Sequence, residues 1–359
     1  TIHNLDYQGI RPLEGRDHGR ASSLQAWFPE EYQAIRHHTR FHEAIDPTCQ
    51  DCFNPMRAGI RFSNQVNTVS PSYATEITMP DDPVRGFAGG RGLQLDLAGL
   101  EATGRLSGIL NGIDLVENDP QTARPPFHAE DPDLAKHKSA HKKILLDRLR
   151  ALPTSPFNPD SNHWKDEEAT LNTPLAVAVT RLTGQKVQLL LDHLETGQST
   201  LEGLAQLPLN IVVLGTGDLE EPFVAQLKNT PSNRLLFINQ YDATLASLLY
   251  AGSDLFLMPS LFEPCGISQM LAMRYGSLPI ATAVGGLKDT IHHRETGFLF
   301  QGNNHGQMAQ NFVETVGLAA DLCLRKPEEF LAMQRKAMRL EFGWEQASRN
   351  YQKLYRSLT

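Results

Sequence analysis

The sequence predicts an α/β fold whose clearest part is a parallel sheet in the second half of the chain. Two observations lead there. From Pro174 onward, short apolar or β-branched runs alternate with stretches of helical periodicity, the pattern of repeated strand-helix-strand units. The runs are almost wholly apolar, as strands covered by helices on both faces must be. Candidate strands are Leu175 to Thr180, Ile211 to Leu214, Leu235 to Asn239, Asp254 to Pro259 and Pro279 to Thr282, with a short last one at Gly297 to Phe300.

The first 115 residues are less regular. Strand candidates occur at Gln65 to Val69 and Leu106 to Leu110, whereas the polar stretch Gln25 to Asp51 predicts mostly helix and loop. That is too few strands for a complete doubly wound domain, which commonly has about five or six. Between the halves, Glu117 to Thr173 is rich in Pro, Asp, His and Lys and carries one amphipathic helix around Leu134 to Leu149; the domain boundary is expected within it.

A length of 359 residues accommodates two domains, each able to bury its own core. Hydrophobic residues make up 40% and charged residues 21%, with no apolar run long enough for a membrane-spanning helix. A net charge of -8 gives no general attraction to nucleic acid or to an anionic membrane, so a phosphate ligand must be held by local groups. Four cysteines make no disulfide scaffold and no secretory leader opens the chain; a cytoplasmic protein is expected.

The most informative motif follows the strand at Asp254, where Phe262-Glu263-Pro264-Cys265-Gly266-Ile267-Ser268-Gln269 leads into a helix. Ligands of open α/β sheets bind outside the carboxyl ends of the strands, which puts Glu263 at the mouth of the crevice. Backbone N–H groups of Gly266, Ile267 and Ser268, at a helix start, suit an anion such as a diphosphate. The plain alternative is that Glu263 caps or salt-bridges that helix.

A second motif, Thr180-Arg181-Leu182-Thr183-Gly184-Gln185-Lys186, places two cations in the first strand-to-helix loop. Arg181 offers a planar fork for phosphate and Lys186 a compact point charge, although either read singly is ordinary surface charge. After the strand at Ile211 comes Gly215-Thr216-Gly217-Asp218, where glycine lets backbone approach a ligand and Asp218 is positioned to cap the next helix. A tight turn, Val284-Gly285-Gly286-Leu287, follows the strand at Pro279.

Taken together and in order, these motifs resemble the glycogen/starch synthase family, with its F-E-P-C-G-[LI]-[TS]-Q, S-R-L-T-x-Q-K, L-G-T-G-D and T-G-G-L-x-D-T patterns. The resemblance extends to Thr1-Ile2-His3-Asn4-Leu5-Asp6-Tyr7-Gln8-Gly9, to Asn67-Thr68-Val69-Ser70-Pro71-Ser72-Tyr73 and to Leu106 through Asp114. It implies a GT-B fold, two Rossmann-like domains with parallel sheets, and retaining transfer of glucose from ADP-glucose to the non-reducing end of an α-1,4-glucan such as glycogen, with neither metal nor cofactor.

By the same resemblance, Arg181 and Lys186 neutralise the leaving diphosphate, Glu263 holds hydroxyls of the transferred glucose with Cys265 beside it, and His3 contacts the donor sugar from the other domain. Tyr241 stacks on adenine, while Gly215, Thr216, Gly266, Ile267 and Ser268 complete the donor contacts. No catalytic nucleophile is assigned. Ser268 stands where the family commonly has Thr, keeping the hydroxyl, and Leu271 stands where neighbouring families have the second glutamate of E-x7-E.

The resemblance divides the chain into the remainder of an amino-terminal domain (1–115), a linker region (116–173), a nucleotide-sugar domain (174–341) and a carboxyl-terminal helix within 342–359 that crosses back to the first domain. Family members begin with a K-x-G-G-L phosphate loop more than a hundred residues before T-I-H-N, and no such string occurs here. The nearest, Ala88-Gly89-Gly90-Arg91, lacks the lysine. The expectation is therefore the carboxyl two-thirds of a synthase, its first domain incomplete and its turnover impaired. Alternatives are a non-catalytic nucleotide- or glucan-binding fragment and a related enzyme with another donor. Asp131-Pro132-Asp133 is expected in a solvated loop. Cys49-x-x-Cys52, near His37, His38 and His42, is read as free thiols or a redox pair rather than a zinc site.

Overall fold

A computed structural model describes residues 1–15, 23–152, 167–230 and 232–358. Part of the expected linker region, 153–166, lies outside the described residues. The chain forms two compact units: residues 1–83, 87–110 and 349–359 make the first, residues 84–86 and 111–348 the second.

The strands of the first unit are β1 (Arg11–Pro12), β2 (Ile45–Asp46), β3 (Cys49–Phe53), β4 (Val66–Thr68) and β5 (Leu106–Gly108). β4 and β5 pair in parallel, and Ile2 bridges to Thr68 on the same ladder. Around them Ile2, Leu5, Ile60, Val66, Tyr73, Ile77, Leu93, Leu97 and Leu100 form a small core. The two predicted strands are present. A three-stranded antiparallel sheet, β1-β3-β2, was not expected. Its hairpin falls at the end of the polar stretch read as helix and loop, and Cys49-Gln-Asp-Cys-Phe lacks the apolar alternation that betrays a strand.

In the second unit β6 (Leu175–Val179), β7 (Asn210–Leu214), β8 (Leu235–Ile238), β9 (Leu255–Met258), β10 (Leu278–Thr282) and β11 (Phe298–Phe300) form a single parallel sheet in the order β11-β10-β9-β6-β7-β8. Counted within the unit this is 3-2-1-4-5-6, the doubly wound Rossmann order. β6, β7, β9 and β10 are buried almost throughout, which explains their apolar runs. The winding reverses between β6 and β9, the position outside whose carboxyl ends open α/β sheets take their ligands. Arg181 and Lys186 follow one strand and Glu263 the other.

The unit boundary falls at Leu110/Asn111, ahead of the Pro-rich stretch, because that stretch contributes apolar surface to the second core. Phe127, Leu134, Leu145, Leu146 and Leu149 are all buried there. Asp131 is not solvated loop: it is 8% exposed and accepts from His137 at 2.5 Å and from the Asp133 N–H at 2.9 Å. The carboxyl-terminal helix is Trp344–Arg356, and from Arg349 onward it belongs to the first unit. No helix among the described residues is long and apolar enough to cross a membrane.

One contact of the helix Leu134–Arg150 has a measurable signature. Lys138, fully buried, donates to the carbonyls of Ala251, Ser253 and Tyr275 at 2.6, 2.9 and 2.9 Å, taking up oxygens that the ends of two helices leave unbonded. Burial pushes its ammonium down to about 7 from 10.5, with Asp254 opposing. Between those values the folded chain holds fewer protons than the unfolded one, so this group makes stability rise with pH through the window. Urea unfolding of wild type and Lys138→Met is expected to show their stability difference shifting in the wild type's favour between about pH 7 and 10. A pH-independent difference contradicts this.

Candidate functional site

The carboxyl edge of β6 and β9 gathers the charged residues singled out in the sequence. The loop after β6 bends over the sheet because Leu182 is buried under it, and the Leu182 N–H donates to Thr216 O at 2.9 Å. Arg181 is left exposed and Lys186 lies in the first turn of the helix Gly184–Leu191. After β9, the Leu261 N–H donates to Gln185 O at 2.9 Å and the Gln185 amide donates to Phe262 O at 3.0 Å. These two bonds join the loops side by side.

At the junction Lys186 donates to the carboxylate of Glu263. Glu263 is only 6% exposed, so the ion pair is drawn largely out of water, where an unmatched charge would be costly. The ammonium keeps N–H groups to offer, and the Arg181 guanidinium has no hydrogen-bond or ion-pair partner among the described residues, its backbone carbonyl accepting from the Thr183 N–H at 3.0 Å. One carboxylate and two cations at this edge of the sheet suit a polar ligand bearing a diphosphate.

Glycine shapes the walls. A Cβ at Gly215 would lie 1.8 Å from Thr180 O, and one at Gly286 would lie 2.1 Å from Cys265 O; neither position admits a side chain without moving backbone. Gly266, at φ +74°, sits in the left-handed region that favours glycine. The buried Gln269 amide ties the Glu263 loop to the helix Gly285–Thr290: it donates to Cys265 O, Gly266 O and Thr290 Oγ1, each at 3.1 Å, while the Gly286 N–H donates to Glu263 O at 3.0 Å.

Other expected residues take more limited parts. Cys265 is buried, its thiol pushed up to about 11 by desolvation and facing the Asn111 N–H, which favours the neutral form. Ser268 opens the helix Ser268–Arg274, but its hydroxyl bonds the Tyr250 phenol; only its N–H, with that of the exposed Ile267, is directed by the helix start. Thr216 is exposed beside the buried Gly215. Asp218 caps no helix: the helix Glu220–Lys228 begins after Leu219 without a side-chain cap. Tyr241, just beyond β8, is 90% exposed, an unpacked ring at the same edge. His3 lies exposed in the first unit, next to the buried Ile2.

Sequence reasoning passed over the hydroxyl and amide groups at this edge. Thr183 Oγ1, Asn239 Oδ1, Ser260 Oγ and Thr282 Oγ1 are buried without a hydrogen-bond partner among the described residues, and all stand at or just past the carboxyl ends of β6, β8, β9 and β10. Such orphans are uncommon in a finished core, and a ligand or ordered water at this edge would complete them. Their only sequence signal was position at a strand end. Cys49 and Cys52 are joined as a disulfide, and no group of three His, Cys, Asp or Glu among the described residues could hold a metal.

Comparison with known proteins follows the same division. The starch synthase catalytic domain family matches residues 1–98, and glycosyl transferases group 1 matches 160–315. Glycogen synthase of Streptococcus sanguinis is 35% identical over the whole chain and that of Streptococcus uberis 40%; in both cases the chain spans 66%, just under two thirds, of the relative's length. Among solved structures, the catalytic domain of starch synthase IV from Arabidopsis thaliana bound to ADP and acarbose superposes with a TM-score of 0.74 at 28% identity, covering 99% of this chain and 65% of that one. Sucrose-phosphate synthase of Thermosynechococcus elongatus shares the fold at a TM-score of 0.51 and 20% identity. The chain belongs to the glycogen synthase and starch synthase family of GT-B glycosyltransferases.

Proposed function

We propose that the protein this chain represents is a cytoplasmic glycogen synthase, transferring glucose from ADP-glucose to the non-reducing end of an α-1,4-glucan with retention of configuration. Nucleotide sugar and α-glucan are its partners; nucleic acid and membrane are not. The observation that carries this reading is the Lys186–Glu263 pair, with Arg181 in the loop that leads to Lys186, at the reversal point of a 3-2-1-4-5-6 sheet.

Donor binding gives Lys186 a stronger partner. Its ammonium and the Arg181 guanidinium stabilise the charge that grows on the diphosphate as the glycosidic C–O bond breaks, a contribution made in the transition state. Glu263, released from Lys186, accepts hydrogen bonds from hydroxyls of the glucose. His3 is assigned a hydrogen bond to the same sugar, and the helix-start N–H groups of Ile267 and Ser268 face the phosphates with the backbone at Gly215, Thr216 and Gly266. The buried neutral thiol of Cys265 packs beside Glu263 without taking part in bond changes. No metal takes part in the proposed reaction.

Tyr241 supplies the stacking face for adenine, and its exposure without ligand favours that role over a packing one. Tyr241→Ala is expected to weaken ADP binding about tenfold by calorimetry while leaving thermal stability unchanged, since the ring packs on nothing. Unchanged ADP affinity removes Tyr241 from the site. The second reading, a nucleotide-binding piece without turnover, predicts ADP binding with no glucose incorporation.

A further inference from the structure

The proposed reaction makes no use of the disulfide between Cys49 and Cys52. Both cysteines are half-buried, and Gln50 and Asp51 between them are exposed, so a thiol reagent has access to the turn. In a reducing compartment such a bond is transient and serves sensing or catalysis rather than permanent cross-linking.

The pair stands at one end of a hydrogen-bonded path through the first unit. The Cys49 N–H donates to the buried carboxylate of Asp46, which also takes the Thr48 N–H at 2.9 Å and its hydroxyl at 2.6 Å. Asn54, fully buried, donates from Nδ2 to Asp46 at 2.7 Å and to Gln8 Oε1 at 2.6 Å. Gln8 donates to Arg91 O at 2.8 Å, and the Arg91 guanidinium reaches back to Asp6 at 2.7 Å. The turn also touches this loop directly, because a Cβ at Gly92 would meet Thr48 Cγ2 at 3.0 Å. Both branches end on the segment that carries His3.

We propose that Cys49 and Cys52 form a thiol–disulfide switch that acts through Asp46, Asn54 and Gln8 to set the position of the His3 segment, and with it the rate of glucose transfer. The proposal rests on the role given to His3 above. A dithiol reductant attacks one sulfur through its thiolate and forms a mixed disulfide. Its second thiol then closes on the first, leaving Cys49 and Cys52 as thiols and the reductant as a cyclic disulfide, with two electrons and two protons transferred. The freed hairpin no longer fixes the Cys49 N–H over Asp46, so the path loses its anchor.

The test uses full-length protein poised with reduced or oxidised dithiothreitol, its thiol count read by alkylation and mass. The disulfide form is expected to transfer glucose about threefold faster or more, at unchanged ADP affinity, with slower hydrogen exchange at residues 3–8 and 88–92 than the dithiol form. C49S/C52S matches the reduced protein and ignores the redox buffer. Asp46→Asn keeps the disulfide yet slows transfer in both states. Equal exchange in the two states overturns the switch, as do equal or reversed rates in a protein that transfers glucose. Absence of transfer in both states instead overturns the proposed reaction, and hydrogen exchange alone then decides the switch.

Discussion

Lys186→Met is expected to slow glucose transfer about a thousandfold and to destabilise the protein. Loss of one preorganised charge from a developing anion costs two to three orders of magnitude in rate, roughly 3–4 kcal/mol. The stability effect has a separate origin. Glu263, 6% exposed, is left without its ammonium, and breaking one side of a buried pair costs about 3–5 kcal/mol. The two effects separate in the double variant K186M/E263Q. It removes both charges, so unfolding free energy returns toward wild type while transfer stays lost. Denaturant titration and an initial-rate assay check both; a double variant no more stable than Lys186→Met contradicts the pair's assigned role.

Gly286→Ala produces the second large effect, through shape rather than charge. Its methyl would overlap Cys265 O at 2.1 Å and Cys265 Cα at 2.5 Å, so the loop from Glu263 to Gly266 must move. Overpacking of this kind costs about 1–3 kcal/mol. Displacement of Glu263 by even ~1 Å lowers the rate about a hundredfold. ADP affinity measured in parallel is expected to fall, because the helix start at Ile267 and Ser268 moves with the loop. Wild-type turnover in Gly286→Ala would show that the loop does not hold the donor.

Much of this was legible in the sequence because parallel strands and their loops speak one residue at a time. Leu-Ala-Val-Ala-Val at β6 and Asn-Ile-Val-Val-Leu at β7 are apolar because both faces are covered, whereas the reversal between β6 and β9 emerges only from the strand order. Arg181, Lys186 and Glu263 were readable as strand-end residues. That Lys186 and Glu263 bond each other was not, since they are 77 residues apart and meet only through the sheet.

The hairpin at Cys49 escaped notice for want of apolar alternation, and the placement of residues 111–152 in the second core for want of a contiguous motif. Leu145, Leu146 and Leu149 showed that the helix was amphipathic, while nothing local said which core receives them. The orphaned hydroxyls of Ser260 and Thr282 carry meaning only once their surroundings are known.

The central claim is tested most directly by incorporation of labelled glucose into glycogen by the full-length protein, with ADP-glucose and UDP-glucose offered in parallel. The account predicts incorporation from ADP-glucose that α-amylase releases, and its loss in Glu263→Ala while ADP still binds. ADP binding without incorporation, or equal incorporation by Glu263→Ala, would contradict it.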